Sequence, residues 1–313
     1  MRTFILLFLS LLMSSISAQS QDLQKTEGSL IGVNDTRLFV RTAGSGEPVI
    51  VIHGGPVLDH SYLFPHLKPI ADEYLLIFYD QRLSGRSSAD SDSSQVRLST
   101  FIEDIESLRQ ELGLQKVHLL GHSWGGLLAM KYAIQYPSHI KKLMLVNSMA
   151  PSSELWHREE AMLAQSFTRA DSLKRQEIIQ SDIFKENPPR AIKQLLELSF
   201  RKQFYDREKA SRLDMYVPED YMKRSRLFGH LMTDISSYDL SDELKKMNIP
   251  TLIIYGAAEP ASNISGPVLN RLIEKSKYVQ IEASGHFPFI EQPGEFQQVI
   301  TDFLADSNSD KSE

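Results

Sequence analysis

The stretch that most limits how this chain can fold is Val117-His118-Leu119-Leu120-Gly121-His122-Ser123-Trp124-Gly125-Gly126-Leu127-Leu128-Ala129-Met130. An apolar run, a Gly-x-Ser-x-Gly core and a second apolar run rich in helix formers read as strand, sharp turn and helix. A turn this tight predicts a strained backbone at the serine, and a Cβ at Gly121 or Gly125 would crowd it. The Ser123 hydroxyl is thereby presented at the top of a sheet. The helix that begins there aims its N-terminal N–H groups and its dipole at any oxyanion formed beside it.

The rest of the chain repeats the strand half of that unit. Ser29–Val33 and Arg37–Ala43 flank the turn Asn34-Asp35 and read as an antiparallel pair. Pro48–Ile52, Leu75–Tyr79, Ile140–Val146 and Pro250–Gly256 are continuous apolar, largely β-branched runs, as expected of strands buried on both faces. Tyr278–Ile281 supplies an eighth strand. Helices are expected between them: one capped by Thr100 with Phe101, Ile105, Leu108 and Leu112 on its inner face, then Val268–Lys275 and Glu295–Leu304. From residue 150 to 239 the pattern turns charged, helical and aromatic, with no apolar strand run. The order predicts a mostly parallel eight-stranded α/β sheet with helices on both faces and a helical cap inserted after the sixth strand. The expected divisions are 28–149 and 240–304 for the two parts of the core and 150–239 for the cap.

The ends are read separately. Met1-Arg2, the apolar run Phe4–Met13 and the small residues before Ala18 read as a signal peptide, 1–18, too short to span a bilayer. The mature protein is then expected outside the cytoplasm, periplasmic or secreted, with no membrane span after cleavage. Residues 305–313 read as a disordered polar tail. The chain has no cysteine, which excludes a thiol nucleophile and leaves an exported protein to rest on its core. A formal net charge of −6 without a basic block argues against nucleic acid as a partner.

Serine is a poor nucleophile at neutral pH and needs an adjacent base. In a core of this kind the partners follow in the order Ser, acid, His. Of nine histidines, His286 combines a late position with a loop directly after a strand, on the same sheet edge as the serine. The loop after strand Leu252–Tyr255 is Gly256-Ala257-Ala258-Glu259-Pro260, and Glu259 is its one carboxylate. The loop after Val146 offers Asn147-Ser148 and no acid. Ser123, His286 and Glu259 are therefore the expected catalytic residues. The main-chain N–H groups of Gly55 and Trp124 are the expected oxyanion donors, with Pro56 stiffening the exit of that loop. His122 is expected to shape the turn, and His53 to support the oxyanion loop. Nothing in the pattern asks for a metal or a cofactor.

His53-Gly54-Gly55-Pro56, Asp80-Gln81-Arg82-x-Ser84-Gly85-Arg86-Ser87, Gly121-His122-Ser123-Trp124-Gly125-Gly126 and Gly285-His286-Phe287 together resemble the α/β-hydrolase superfamily, and within it the proline iminopeptidase branch. The resemblance spans about Gly28 to Leu304. It implies the α/β-hydrolase fold and removal of an N-terminal residue, usually proline, from small peptides, without a cofactor. Two departures stand out. Glu259 occupies the position where that family carries Asp, and Val57 stands where Gly is usual, which is expected to narrow the floor of the site. The resemblance also implies cap glutamates that grip the substrate's ammonium. Glu154, Glu159, Glu160, Glu186, Glu197, Glu208 and Glu219 are all available, and none is singled out by sequence. Trp156 and Phe228, with Phe204, Tyr205 and Tyr216, are candidates either for a substrate pocket or for the cap's own core. A carboxylesterase or lactonase on the same triad is the alternative reading.

Overall fold

The computed structural model describes residues 27–306 apart from Pro56, Asp90 and Ser91. The expected signal peptide and residues 307–313 lie outside the described residues. Eight strands form one sheet: β1 (Ser29–Val33), β2 (Thr36–Ala43), β3 (Glu47–Ile52), β4 (Tyr74–Tyr79), β5 (Val117–His122), β6 (Ile140–Val146), β7 (Thr251–Gly256) and β8 (Ser276–Ile281). Their spatial order is β1-β2-β4-β3-β5-β6-β7-β8. β2 runs antiparallel to β1 and β4, and every other pairing is parallel. The alternation along the strands divides the core between the two faces. Ile50, Ile52, Leu119, Leu145 and Ile253 face one cluster, while Val49, Val51, Leu120, Met144, Leu252 and Ile254 face the other. Each side chain in these two sets is buried.

Helices α1 (Leu98–Glu111) and α2 (Trp124–Gln135) cover the first face. α1 begins two residues before the expected cap. Arg97 stands at its N-cap position without a side-chain hydrogen bond, and the Leu98 N–H donates instead to the Asp234 carboxylate at 2.8 Å. A distant side chain thus satisfies a free N–H at the helix start, where Thr100 was expected to act as the cap.

The segment between β6 and β7 carries α3 (Ser153–Ala164), α4 (Arg169–Gln180), α5 (Asp182–Glu186), α6 (Pro188–Phe200) and α7 (Tyr221–Phe228), joined by short helical turns. Local chemistry sets their starts: Ser152 caps α3, Thr168 and Asp171 form a reciprocal capping box on α4, and Asn187 with Pro188 opens α6. The two ends of the insertion are zipped together. Ser153 N–H donates to Tyr238 O at 2.8 Å and Leu240 N–H to Pro151 O at 2.9 Å, about an isolated bridge between Ser152 and Asp239. After β7, α8 (Ser265–Leu272) packs on the first face and α9 (Pro293–Ala305) on the second, through Phe296, Ile300 and Leu304. Among the described residues no helix is long and apolar enough to cross a membrane.

Candidate active site

Ser123 joins β5 to α2 at φ 55° and ψ −122°, outside the conformations an L-residue prefers. The two flanking glycines allow it. A Cβ on Gly121 would lie 2.4 Å from Gly125 O, and one on Gly125 would lie 2.2 Å from Ile52 O. The turn is tied to its neighbour strand, for Ser123 N–H donates to Val146 O at 3.0 Å. Trp124 is the first residue of α2, so its N–H has no intrahelical acceptor.

Glu259 lies in the turn after β7, and His286 in the loop after β8. Glu259 Oε1 sits 2.5 Å from His286 Nδ1. The other carboxylate oxygen accepts a short hydrogen bond from Asn147 Nδ2, which also donates to Gly285 O at 3.2 Å. Ala258 N–H donates to Ser284 O at 2.9 Å and laces the two loops together. Ser123, His286 and Glu259 all line one cavity of about 350 Å³, with Gly55 and Asn147 beside them.

A buried relay frames these groups. Gly54 N–H donates to the Tyr62 oxygen at 2.6 Å, and the Tyr62 hydroxyl lies 2.7 Å from His122 Nδ1. His122 Nε2 lies 2.9 Å from His286 O. A carbonyl only accepts, so His122 carries its proton on Nε2 and takes the Tyr62 hydroxyl on Nδ1. Burial, reinforced by the nearby His286, holds the His122 imidazole well below the ordinary histidine range and so keeps it neutral. One chain of hydrogen bonds thus joins the Gly54-Gly55 loop, the serine turn and the His286 loop. His53 is ordered the same way. Its Nε2 accepts from Gln81 N–H at 3.1 Å, which leaves Nδ1–H to donate to Gly54 O at 2.9 Å. The Gln81 side chain bridges His53 O at 2.7 Å and the Trp124 indole at 2.8 Å.

Two sequence expectations need correction. Phe228 does not reach the cavity. It is buried on α7 against Phe101, with ring centroids 5.6 Å apart, because that face of α7 packs on α1. Trp156 does line the cavity, from α3. Val57 does not narrow the floor either. Its side chain is 2% exposed within the core at φ 68°, and Leu58 is the neighbour that reaches the cavity. A β-branched residue in the left-handed region is strained, which explains why glycine suits this position. Pro56 lies outside the described residues.

Two cap carboxylates, Glu159 and Glu160, line the cavity from α3. Glu159 Oε1 accepts both the N–H (3.2 Å) and the hydroxyl of Ser265 at the start of α8. Burial raises the Glu159 carboxyl to about 7, against the lowering effect of Ser265, and the charge of Glu259 adds to the rise. Sequence reasoning passed over Asn147 and Tyr62. Asn147 stands at a strand end, the position searched for an acid, and its role needed only a donor. Tyr62 has no local signal, since a tertiary contact makes it part of the site. Among the described residues one buried cluster, Asp59, His60 and Asp80, has spacing that suits a metal ion. Arg86 already pairs with Asp59 at 2.8 Å, and His60 with Asp80 at 2.6 Å, so a protein cation stands where an ion would.

The sequence profile of the alpha/beta hydrolase fold family matches residues 47–293. A proline iminopeptidase of Heyndrickxia coagulans is 32% identical over 272 residues, covering 83% of this chain and 91% of its own length. One of Clostridioides difficile is 29% identical over 268 residues, covering 82% and 89%. Among solved structures, a proline iminopeptidase of Mycobacterium smegmatis superposes with a TM-score of 0.66 at 21% identity, over 89% of this chain and 97% of its own. An esterase of Exiguobacterium antarcticum superposes with 0.65 at 23% identity, over 89% and 100%, a likeness of fold alone. Sheet order, the strained turn and this kinship converge: the chain belongs to the α/β-hydrolase fold family and is a hydrolase, similar over most of its length to proline iminopeptidases.

Proposed function

We propose that the protein is a serine aminopeptidase that releases N-terminal proline or a small residue from short peptides. Ser123 Oγ attacks the scissile carbonyl while His286 Nε2 takes its proton. Glu259, bonded to Nδ1, holds the tautomer and stabilises the imidazolium. The N–H groups of Gly55 and Trp124 receive the oxyanion, each worth about 2.7–4 kcal/mol of barrier. His286 then protonates the departing amine, and water releases the acyl group by the same steps.

The observation that carries the peptidase reading is the pair of cap carboxylates, Glu159 and Glu160, in the same cavity as Ser123. An ammonium enclosed with the reacting carbonyl needs such a partner. The proline iminopeptidase name of the relatives supports the same substrate. The apolar side chains of Leu58, Met149, Leu163 and Phe200 in that cavity favour a second reading, a carboxylesterase or lactonase on the same triad. A panel of proline and alanine arylamides, free and N-acetylated, beside short aryl esters separates the two. Turnover of free-amine arylamides that is lost on acetylation supports the peptidase. Turnover of esters alone replaces it with the esterase. The N-terminal features further support export, which the N-terminus of the mature protein, read by mass spectrometry, tests: cleavage after Ala18 is expected.

A further inference from the structure

One buried carboxylate takes no part in the chemistry just described. Glu291 ends the short helical turn Pro288–Glu291 and is 2% exposed. A carboxylate at such depth persists only if hydrogen bonds hold it. Its two oxygens reach two different parts of the molecule. Oε2 accepts from Gly285 N–H at 2.7 Å, in the loop that carries His286. Oε1 accepts from Asp206 N–H at 2.8 Å, in the cap. Its main-chain carbonyl accepts from Lys209 Nζ at 2.9 Å, also in the cap.

Around this carboxylate the cap segment 203–206 lies directly on the His286 loop. His286 N–H donates to Gln203 O at 2.8 Å. Phe204 stacks on Phe287 at 4.6 Å with the rings 19° apart. A Cβ on Gly285 would stand 2.1 Å from Gln203 O, so this approach of two backbones requires glycine. Gln203, Phe204 and Tyr205 also line the cavity. One short stretch therefore forms a wall of the cavity and holds the backbone of His286.

We infer that Glu291 is a positioning residue that clasps the His286 loop to the cap, so that the base is in register with Ser123 only while segment 203–206 is docked. The inference rests on the reading of His286 as the base. An amide cannot take the carboxylate's place. Glutamine offers one acceptor and one donor group, and would set N–H against N–H at either Gly285 or Asp206. A base displaced by a fraction of an ångström loses rate without losing substrate affinity.

The test compares Glu291→Gln with wild type in the full-length protein, using an activated aryl ester and a neutral phosphonate that labels Ser123. Active-site titration corrects for any misfolded fraction, so a merely structural role leaves kcat per titrated site unchanged. The expected result is a loss of about 10- to 100-fold in kcat per site and in the labelling rate, with KM within about threefold. Wild-type kcat per site, or a loss confined to KM, overturns the inference. If Glu291→Gln does not fold, Lys209→Met decides. A two- to tenfold loss in kcat, about the worth of one net hydrogen bond, supports the clasp, and wild-type kcat overturns it. Failure of the phosphonate to label wild type removes both the triad reading and this one. Normal labelling at equal rates in wild type and variant removes the clasp alone.

Discussion

Replacing Glu259 by Gln tests the triad most sharply, because the structure dictates how the new amide must sit. Asn147 Nδ2 donates to Glu259 Oε2, and its second bond to Gly285 O at 3.2 Å fixes it as a donor. In Glu259→Gln the side-chain oxygen must therefore face Asn147, which turns the new NH2 toward His286 Nδ1, at the 2.5 Å contact Glu259 now makes. A donor there forces Nδ1 to accept and puts the imidazole proton on Nε2, where it cannot take the proton of Ser123. Loss of the charge and of the tautomer together is expected to cost up to about 10⁴ in kcat, or about 5.4 kcal/mol at about 1.36 kcal/mol per decade. Glu259→Asp keeps the charge and is expected to retain far more activity. The double variant Glu259→Gln/Asn147→Ala frees the amide to flip and present its oxygen to Nδ1–H. It is expected to recover about tenfold over the single variant, a non-additivity of the kind neighbours show. The assay is kcat on an activated ester, normalised by active-site titration. More than a tenth of wild-type kcat in Glu259→Gln would refute the argument, as would no recovery in the double variant. Other carboxylates are no substitutes, since Asp234 serves the start of α1 and Glu291 the Gly285 and Asp206 N–H groups.

Ser123→Ala and His286→Ala are each expected to abolish turnover, and the double variant to be hardly worse than either, as measured by kcat on the same ester. Glu159→Gln is expected to raise KM for a free-amine arylamide and leave a neutral ester unaffected. With its carboxyl raised to about 7, wild type should bind the free-amine substrate more tightly as pH rises through about 7, while that amine stays protonated. The same shift acts on stability. An acid whose folded pKa lies above its unfolded value of 4.5 contributes fully below about 4.5 and loses that contribution as pH rises through about 7. The Tm of Glu159→Gln relative to wild type should accordingly increase from pH 5 to pH 8. Tyr62→Phe strands the buried Gly54 N–H and His122 Nδ1, and is expected to cost about 1–3 kcal/mol in urea denaturation.

Sequence and tertiary structure divide this protein between them along a physical line. Features set by neighbouring residues were legible from the chain alone. The apolar runs at Val49–Ile52 and Thr251–Gly256 can only be strands buried on both faces, and Gly121 and Gly125 admit only a tight turn around Ser123. Strand ends in a parallel sheet share one edge, so His286 and Glu259 could be sought there without coordinates. What the chain order could not carry is contact between segments far apart in sequence. The start of α1 depends on Asp234, 136 residues away. Phe228 and Trp156 are both cap aromatics, and only the packing of α7 on α1 sends one to the core while α3 leaves the other at the cavity. The cap glutamates look alike in sequence, and Glu159 differs from the rest because α3 docks it on Ser265, where burial shifts its proton affinity. Val57, read from its position as part of the floor, points into the core because its backbone turns left-handed. Local sterics are written residue by residue, whereas burial and long-range hydrogen bonds exist only once the chain has closed on itself.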